Sequence, residues 1–179
     1  MARARGVDIR TVGSGNIGAT NVFRILGRPA GIAVLLFDAL KGFIAARFIS
    51  FASDPSLAEY HALVAGLAAI LGHNYTCWLR FKGGKGIATS AGVLLALVPS
   101  GLAIALSVWI ILFFLSKYVS LASIAACIVL PFGVWLAGGT RRMIVLTSIV
   151  GALAIYKHKT NIQRLMNGTE NRFGKKPPK

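Results

Sequence analysis

The residues best suited to chemistry lie in one short run, Leu79-Arg80-Phe81-Lys82-Gly83-Gly84-Lys85-Gly86-Ile87-Ala88-Thr89-Ser90. Glycine has no Cβ, so a Gly-Gly-Lys-Gly backbone can take positive φ and bring its N–H groups close to a ligand. Lys82 and Lys85 beside such groups favour an anion, most often a phosphate. Thr89 and Ser90 then open an apolar run, where a helix start adds free N–H groups and the positive end of its dipole. Two readings stand side by side: a phosphate cradle at a membrane edge, or a basic loop that only sets topology.

Three further runs carry polar donors. Gly13-Ser14-Gly15-Asn16-Ile17-Gly18-Ala19-Thr20-Asn21-Val22-Phe23-Arg24 alternates small residues with hydroxyls and amides, which suits oxyanions. The plainer reading is a turn followed by a helix cap. Ser116-Lys117-Tyr118-Val119-Ser120-Leu121-Ala122-Ser123 reads as a basic, aromatic, hydroxyl-bearing turn. In the C-terminal tail, His158 and Asn161 are three apart and share a helical face, with Ile162, Leu165 and Met166 at the spacing of an amphipathic surface helix.

Several chemistries are excluded. The nucleotide P-loop needs G-x-x-x-x-G-K-[ST] after a strand, and here Gly84-Lys85 is followed by Gly86. The five acids, Asp8, Asp38, Asp54, Glu59 and Glu170, form no pair for carboxylate catalysis or metal binding. His61, His73 and His158 are too scattered for zinc. No G-x-S-x-G elbow is present, and His73 is followed at His-x4-Asp spacing by Trp78. No metal and no cofactor are expected. What remains suits a phosphorylated polar substrate together with a lipid-soluble phosphorylated one. With no obvious protein nucleophile, the donor must arrive already activated.

The elements that position these runs are apolar helices. Hydrophobic residues make up 55% of the chain and charged ones 14%, against about 25% charged in a soluble domain. The mean hydropathy of +0.68 agrees. The chain reads as an all-α, polytopic integral membrane protein with about six transmembrane helices, over residues 30–51, 57–71, 87–98, 101–115, 124–139 and 143–156. Pro99-Ser100-Gly101 divides the third from the fourth, and Pro131 lies inside the fifth. In the first span Asp38 and Lys41 are three apart and can neutralise each other, so that span should pack against other helices. Lys and Arg number 20 against five acids, a formal charge of +15. This excess fits the positive-inside rule and anionic headgroups, and anionic substrates as well. Six spans put both termini and all four polar runs on the cytoplasmic side, with Arg141-Arg142 the one violation. That coincidence predicts a single site built from several loops. Residues 1–174 read as one membrane-embedded domain and 175–179 as a frayed basic end. Cys77 and Cys127 form no C-x-x-C and carry no redox inference. The N-terminus shows no cleavable signal pattern, since Arg3, Arg5 and Arg10 follow Met1 without an apolar core.

The same runs resemble the acyl-phosphate:glycerol-3-phosphate acyltransferase family over nearly the whole chain. The first family motif appears as Ser14 through Arg24, and D-x-L-K-G as Asp38-Ala39-Leu40-Lys41-Gly42. The second motif appears as Gly72-His73 through Thr89, and the basic-Y-V-S-L-x-S turn as Lys117 through Ser123. His158, Asn161-Ile162, Arg164-Leu165 and Gly168-Thr169-Glu170 match the third. The resemblance implies acyl transfer from acyl phosphate to the 1-hydroxyl of glycerol 3-phosphate, giving lysophosphatidic acid. It implies a catalytic set of Ser14, Arg24, Lys85, His158 and Asn161. The substrate-binding set it implies is Asn16, Thr20, Lys82, Gly83, Gly84, Gly86, Thr89, Ser120 and Ser123. Glu170 matches a position tied to structural integrity. The implied partners are the two substrates and the lipid bilayer of a bacterial inner membrane, with no nucleic acid and a monomer as the default. The family pattern has one more span before the segment matching Gly6-Val7-Asp8, so one span fewer is expected here. Thr76 stands where the family usually has Pro, which predicts a less rigid loop entry. Two other classes remain open at this point: a small-anion transporter or channel, and a non-catalytic membrane partner that binds headgroups.

The alternation of basic loops generates a sidedness test. Single cysteines at Ser14 and at Thr160, in a background lacking Cys77 and Cys127, are expected to react with an impermeant thiol reagent only from the cytoplasmic side. Labelling of either from outside breaks the one-sided arrangement.

Overall fold

The computed structural model describes residues 6–174, and they form eight α-helices and no strand. The basic end expected over 175–179 lies outside the described residues. The helices are α1 (Ala19–Leu26), α2 (Arg28–Ala52), α3 (Ala58–Asn74), α4 (Ile87–Leu97), α5 (Pro99–Ser116), α6 (Val119–Leu136), α7 (Arg141–Lys157) and α8 (Lys159–Met166). The six apolar segments read from the sequence correspond to α2 through α7. Among the described residues, three stretches are long and apolar enough to cross a membrane: Ala58–Leu79, Pro99–Ser116 and Val119–Leu136. The 25 residues of α2 supply length, about 37 Å at 1.5 Å per residue, but the helix carries Asp38, Lys41 and Arg47.

Large apolar side chains point outward along these helices, among them Phe51 at 86% exposure and Leu115 at 75%. In water this would be a liability, whereas lipid tails are as apolar as the side chains themselves. Trp78 and Trp135 are exposed at the ends of their segments, where amphipathic rings suit a headgroup region.

The fold divides into two compact units with the boundary after Val93. In the first, helices meet through small residues. A Cβ on Gly42 would run into the carbonyl of Thr89, and one on Gly92 into the carbonyl of Ala39. A Cβ on Gly66 would meet the Val93 side chain at 2.5 Å. Association in lipid relies on such close backbone approach, because burial of apolar surface supplies no drive there.

In the second unit the core is Leu94, Val98, Ala105, Leu130 and Val134, flanked by Leu97, Leu102, Ala126, Met143 and Ile144. Pro131 lies inside α6 and has no N–H, so the carbonyl of Cys127, four residues earlier, loses its helical donor. Gly151 of α7 lies against that carbonyl, close enough that a Cβ would come within 2.8 Å of its oxygen.

Several boundaries differ from those read from the sequence. Helix α6 starts at Val119, five residues before the expected Ile124, so Ser120 and Ser123 are helical. The cause is local: the Ser123 hydroxyl donates to the Val119 carbonyl four residues back at 2.8 Å, a bond that lets serine remain inside a helix. Lys117 alone takes the left-handed corner (φ 61°). Helix α7 starts at Arg141, capped by Thr140, whose Oγ1 accepts from the Met143 N–H at 3.3 Å. Helix α3 runs on through His73 and Asn74, so the expected loop entry is its last turn.

Substitution at the α2–α4 crossing checks this packing. Gly92→Ala places a methyl against the Ala39 backbone and is expected to destabilise the protein by about 1–3 kcal/mol, read as a lower melting temperature in detergent. Gly72→Ala meets nothing within 4 Å and serves as the neutral-to-stabilising control. Equal melting of the two variants contradicts the crossing.

Candidate functional site

In the first unit, the Ser14 loop is built on one side chain. Asn21, on the first turns of α1, is 2% exposed. Its Nδ2 donates to the carbonyls of Ile9 (3.1 Å), Val12 (3.1 Å) and Asn16 (2.9 Å). Its Oδ1 accepts from the Ser14 N–H at 2.9 Å. Asn16 Oδ1 accepts from the Gly18 N–H at 2.8 Å, which closes the turn into α1. Ser14 and Thr20 are half-buried, and Arg24 lies in the last turn of α1.

The glycine loop hangs from the end of α3. The Gly83 N–H donates to the Asn74 carbonyl and the Gly84 N–H to the His73 carbonyl, each at 3.2 Å. These are the open carbonyls of a helix C-terminus. Both N–H groups are therefore engaged within the protein, whereas the glycine run in the sequence suggests them as phosphate donors. The free N–H groups lie one step on. Ser90 is the first residue of α4 whose N–H finds a backbone acceptor, at Gly86 (2.7 Å). No backbone acceptor is found among the described residues for the N–H groups of Ile87, Ala88 and Thr89, as at any helix start. Gly86 turns the chain into α4 at φ 82°, a conformation that favours glycine, and lies against the Asn74 side chain. Lys82 is exposed and Lys85 half-buried. Thr89 Oγ1 and Ser90 Oγ are buried and have no hydrogen-bond partner among the described residues.

Beneath this loop lies a polar chain. Lys41 Nζ donates to Asp38 Oδ1 at 2.6 Å and contacts His73 Nδ1 at 2.7 Å, with Asp38 Oδ1 at 3.5 Å from the same ring nitrogen. The Asp38–Lys41 pair is the one expected from their spacing. The part of His73 is new.

In the second unit the polar residues gather on Glu170. Its Oε1 accepts from Asn161 Nδ2 (2.8 Å) and from Ser120 Oγ (3.0 Å), and its Oε2 from Arg164 Nε (2.8 Å). The Glu170 side chain is 6% exposed and Arg164 is its ionic partner. His158, 3% exposed at the corner of α7 and α8, contacts the Ala154 carbonyl through Nδ1 at 2.7 Å. A carbonyl only accepts, so Nδ1 carries the proton and Nε2 is left as the ring's other nitrogen. Ser123 donates to Val119 and accepts from Trp109 Nε1 at 3.0 Å, so its one hydroxyl proton is already committed within the protein. The tail closes the corner of α5 and α6, with the Phe173 N–H donating to the Lys117 carbonyl at 2.8 Å.

The family model described as glycerol-3-phosphate acyltransferase matches residues 1–168. The chain belongs to the glycerol-3-phosphate acyltransferase family. It is 49% identical over 173 residues to the glycerol-3-phosphate acyltransferase of Geotalea daltonii, covering 97% of this chain and 88% of that one. The enzyme of that name from Aquifex aeolicus is 45% identical over 97% of this chain and 89% of its own. The crystal structure of PlsY (YgiH), an integral membrane glycerol 3-phosphate acyltransferase, in its glycerol 3-phosphate form superposes with a TM-score of 0.90 at 44% identity, covering 97% of this chain and 86% of that one. Its lysophosphatidic acid form gives a TM-score of 0.86 at 43% identity, covering 97% and 85%. The all-helical integral membrane architecture of the chain is thus that of this family of lipid-biosynthetic acyltransferases.

Four residues that organise these two clusters escaped the sequence reading as site residues: Asn21, His73, Asn74 and Arg164. Asn21 and Asn74 lie within the first and second motif runs, but nothing in their sequence position marks the contacts they make. Asn21 gives the clearest test. A net hydrogen bond is worth about 0.5–1.5 kcal/mol, so Asn21→Ala is expected to lose roughly 2–4 kcal/mol and most acyltransferase turnover. Asn21→Asp keeps the acceptor for the Ser14 N–H and is expected to fall between the two. Thermal melting and initial rates check this, and wild-type values for the alanine variant would remove Asn21 from the role.

Proposed function

We propose that the chain transfers a fatty acyl group from acyl phosphate to the 1-hydroxyl of glycerol 3-phosphate, giving lysophosphatidic acid and phosphate, at the cytoplasmic face of a bacterial inner membrane. The observation that carries the reading is the start of α4. Three unpaired N–H groups, a left-handed Gly86 and the cations Lys82 and Lys85 lie together there, a donor set for a phosphate dianion. The relatives' name supports the acceptor substrate, and the glycerol 3-phosphate and lysophosphatidic acid forms of PlsY support substrate and product class.

Each group has a role in this reading. Ser14, Lys85 and the α4 N–H groups hold the phosphate of the donor. Arg24 binds substrate phosphate. His158 positions glycerol 3-phosphate, with Asn161 held by Glu170 beside it in the chain. The hydroxyl of glycerol 3-phosphate attacks the acyl carbonyl, the bond from that carbon to the phosphate oxygen breaks, and the hydroxyl proton leaves with the phosphate. A phosphate with its second pKa near 6 is basic enough for this at neutral pH. An activated donor that brings its own base fits a chain with no carboxylate pair for the task.

The test is donor choice. Purified protein with labelled glycerol 3-phosphate is expected to form lysophosphatidic acid from acyl phosphate and not from acyl thioesters. Thioester-dependent product alone would overturn the donor assignment. In the same assay His158→Gln is expected to raise KM while keeping measurable turnover. A fall in kcat of about 10⁴ at constant KM, the upper end for lost acid–base catalysis, would make the histidine the base.

A further inference from the structure

The polar chain under the glycine loop contains an unused donor. Lys41 carries only donors, and its ammonium lies 2.7 Å from His73 Nδ1, so Nδ1 must accept. The ring is then neutral with its proton on Nε2. Asp38 takes another hydrogen of the same ammonium at 2.6 Å, which holds Lys41 in place as a cation. The tautomer of His73 is therefore fixed from α2 by two residues three apart.

The far edge of the ring faces the loop. A Cβ built on Gly84 would collide first with His73 Nε2, then with its two neighbouring ring carbons. Glycine at 84 is what admits this edge. The His73 side chain is 7% exposed, yet Nε2–H has no hydrogen-bond partner among the described residues. A ring edge seated against the loop, with its tautomer fixed from the other side, is placed to donate to an acceptor that arrives with a ligand. The neighbouring features are those already assigned to a phosphate: the α4 N–H groups and the two loop lysines.

We propose that His73 Nε2–H donates a hydrogen bond to an oxygen of the phosphate group held at the glycine loop, with Asp38 and Lys41 as positioning residues that fix its tautomer. The inference rests on the acyltransferase reading above and adds a substrate-binding residue to it. The phosphate belongs to either glycerol 3-phosphate, a monoester, or acyl phosphate, a mixed anhydride, and both present a terminal phosphate dianion to this donor.

Variant kinetics with each substrate varied in turn separate the two sources. His73→Asn keeps an acceptor near Nδ1 and deletes the Nε2–H. It is expected to raise the KM of one substrate about ten- to a hundredfold, the range for a hydrogen bond to a charged group, with kcat little changed. The substrate affected names the phosphate. His73→Gln returns an amide N–H close to the Nε2 position and is expected to recover most of the affinity. A purely structural histidine would show neither the KM-specific loss nor the glutamine rescue. Wild-type KM for both substrates in a folded His73→Asn protein would overturn the proposal. On the unaltered full chain, 15N spectra of the imidazoles are expected to show His73 protonated at Nε2, with that signal moving as inorganic phosphate is added. A signal unmoved at saturating phosphate, or a proton on Nδ1, would likewise overturn it. Absence of wild-type turnover would instead count against the acyltransferase reading, and the phosphate titration would still decide the role of His73.

Discussion

Two hydrogen bonds tie the glycine loop to the end of α3, from the N–H groups of Gly83 and Gly84 to the carbonyls of Asn74 and His73. The last carbonyls of a helix have no donor within the helix and must find one elsewhere. Here the next loop does so with its own backbone. The docking demands close approach at 83 and 84, where any Cβ would strike the α3 terminus. It also fixes where Gly86 turns and therefore where α4 begins. The direction of the free N–H groups of α4, and the seating of His73 beneath the loop, both follow from this contact.

The second unit solves a similar problem with a carboxylate. Glu170 is nearly buried, and a buried charge is tolerable only when paired and fully hydrogen-bonded. Arg164 supplies the countercharge, while Asn161 and Ser120 occupy the other oxygen. The consequence is that α8, the start of α6 and the tail are fixed to one another. Asn161 is thereby held by a residue outside its own helix, and its proposed role beside His158 depends on Glu170 being in place.

Beside the apolar core of the second unit, the helices are held by small residues. Gly42 and Gly92 bring α2 and α4 to backbone contact, Gly66 of α3 admits the Val93 side chain, and Gly151 brings α7 onto the carbonyl that Pro131 leaves open. The large side chains face outward, as a lipid solvent allows. The glycines outside the loops therefore matter as much to the architecture as those within them.

The sequence by itself determined the class of the molecule and the location of its polar runs. Composition and apolar run length decide between water and lipid, and neither depends on long-range contacts. The Asp38–Lys41 pair was legible for the same reason, since three residues on a helix are neighbours in any fold. The helix starts at Val119 and Arg141 were not, because serines and arginines read as turn residues until their hydroxyl and capping bonds are seen. Tertiary structure alone decided which donors remain for a ligand. It engaged the N–H groups of Gly83 and Gly84 and the hydroxyl of Ser123, all expected to meet substrate, and it brought His73 to Lys41 from 32 residues away. It joined Ser120 to Glu170 across 50 residues. Spacing records partners within a helical turn or two, whereas these partners are set by how helices cross, which no local pattern encodes.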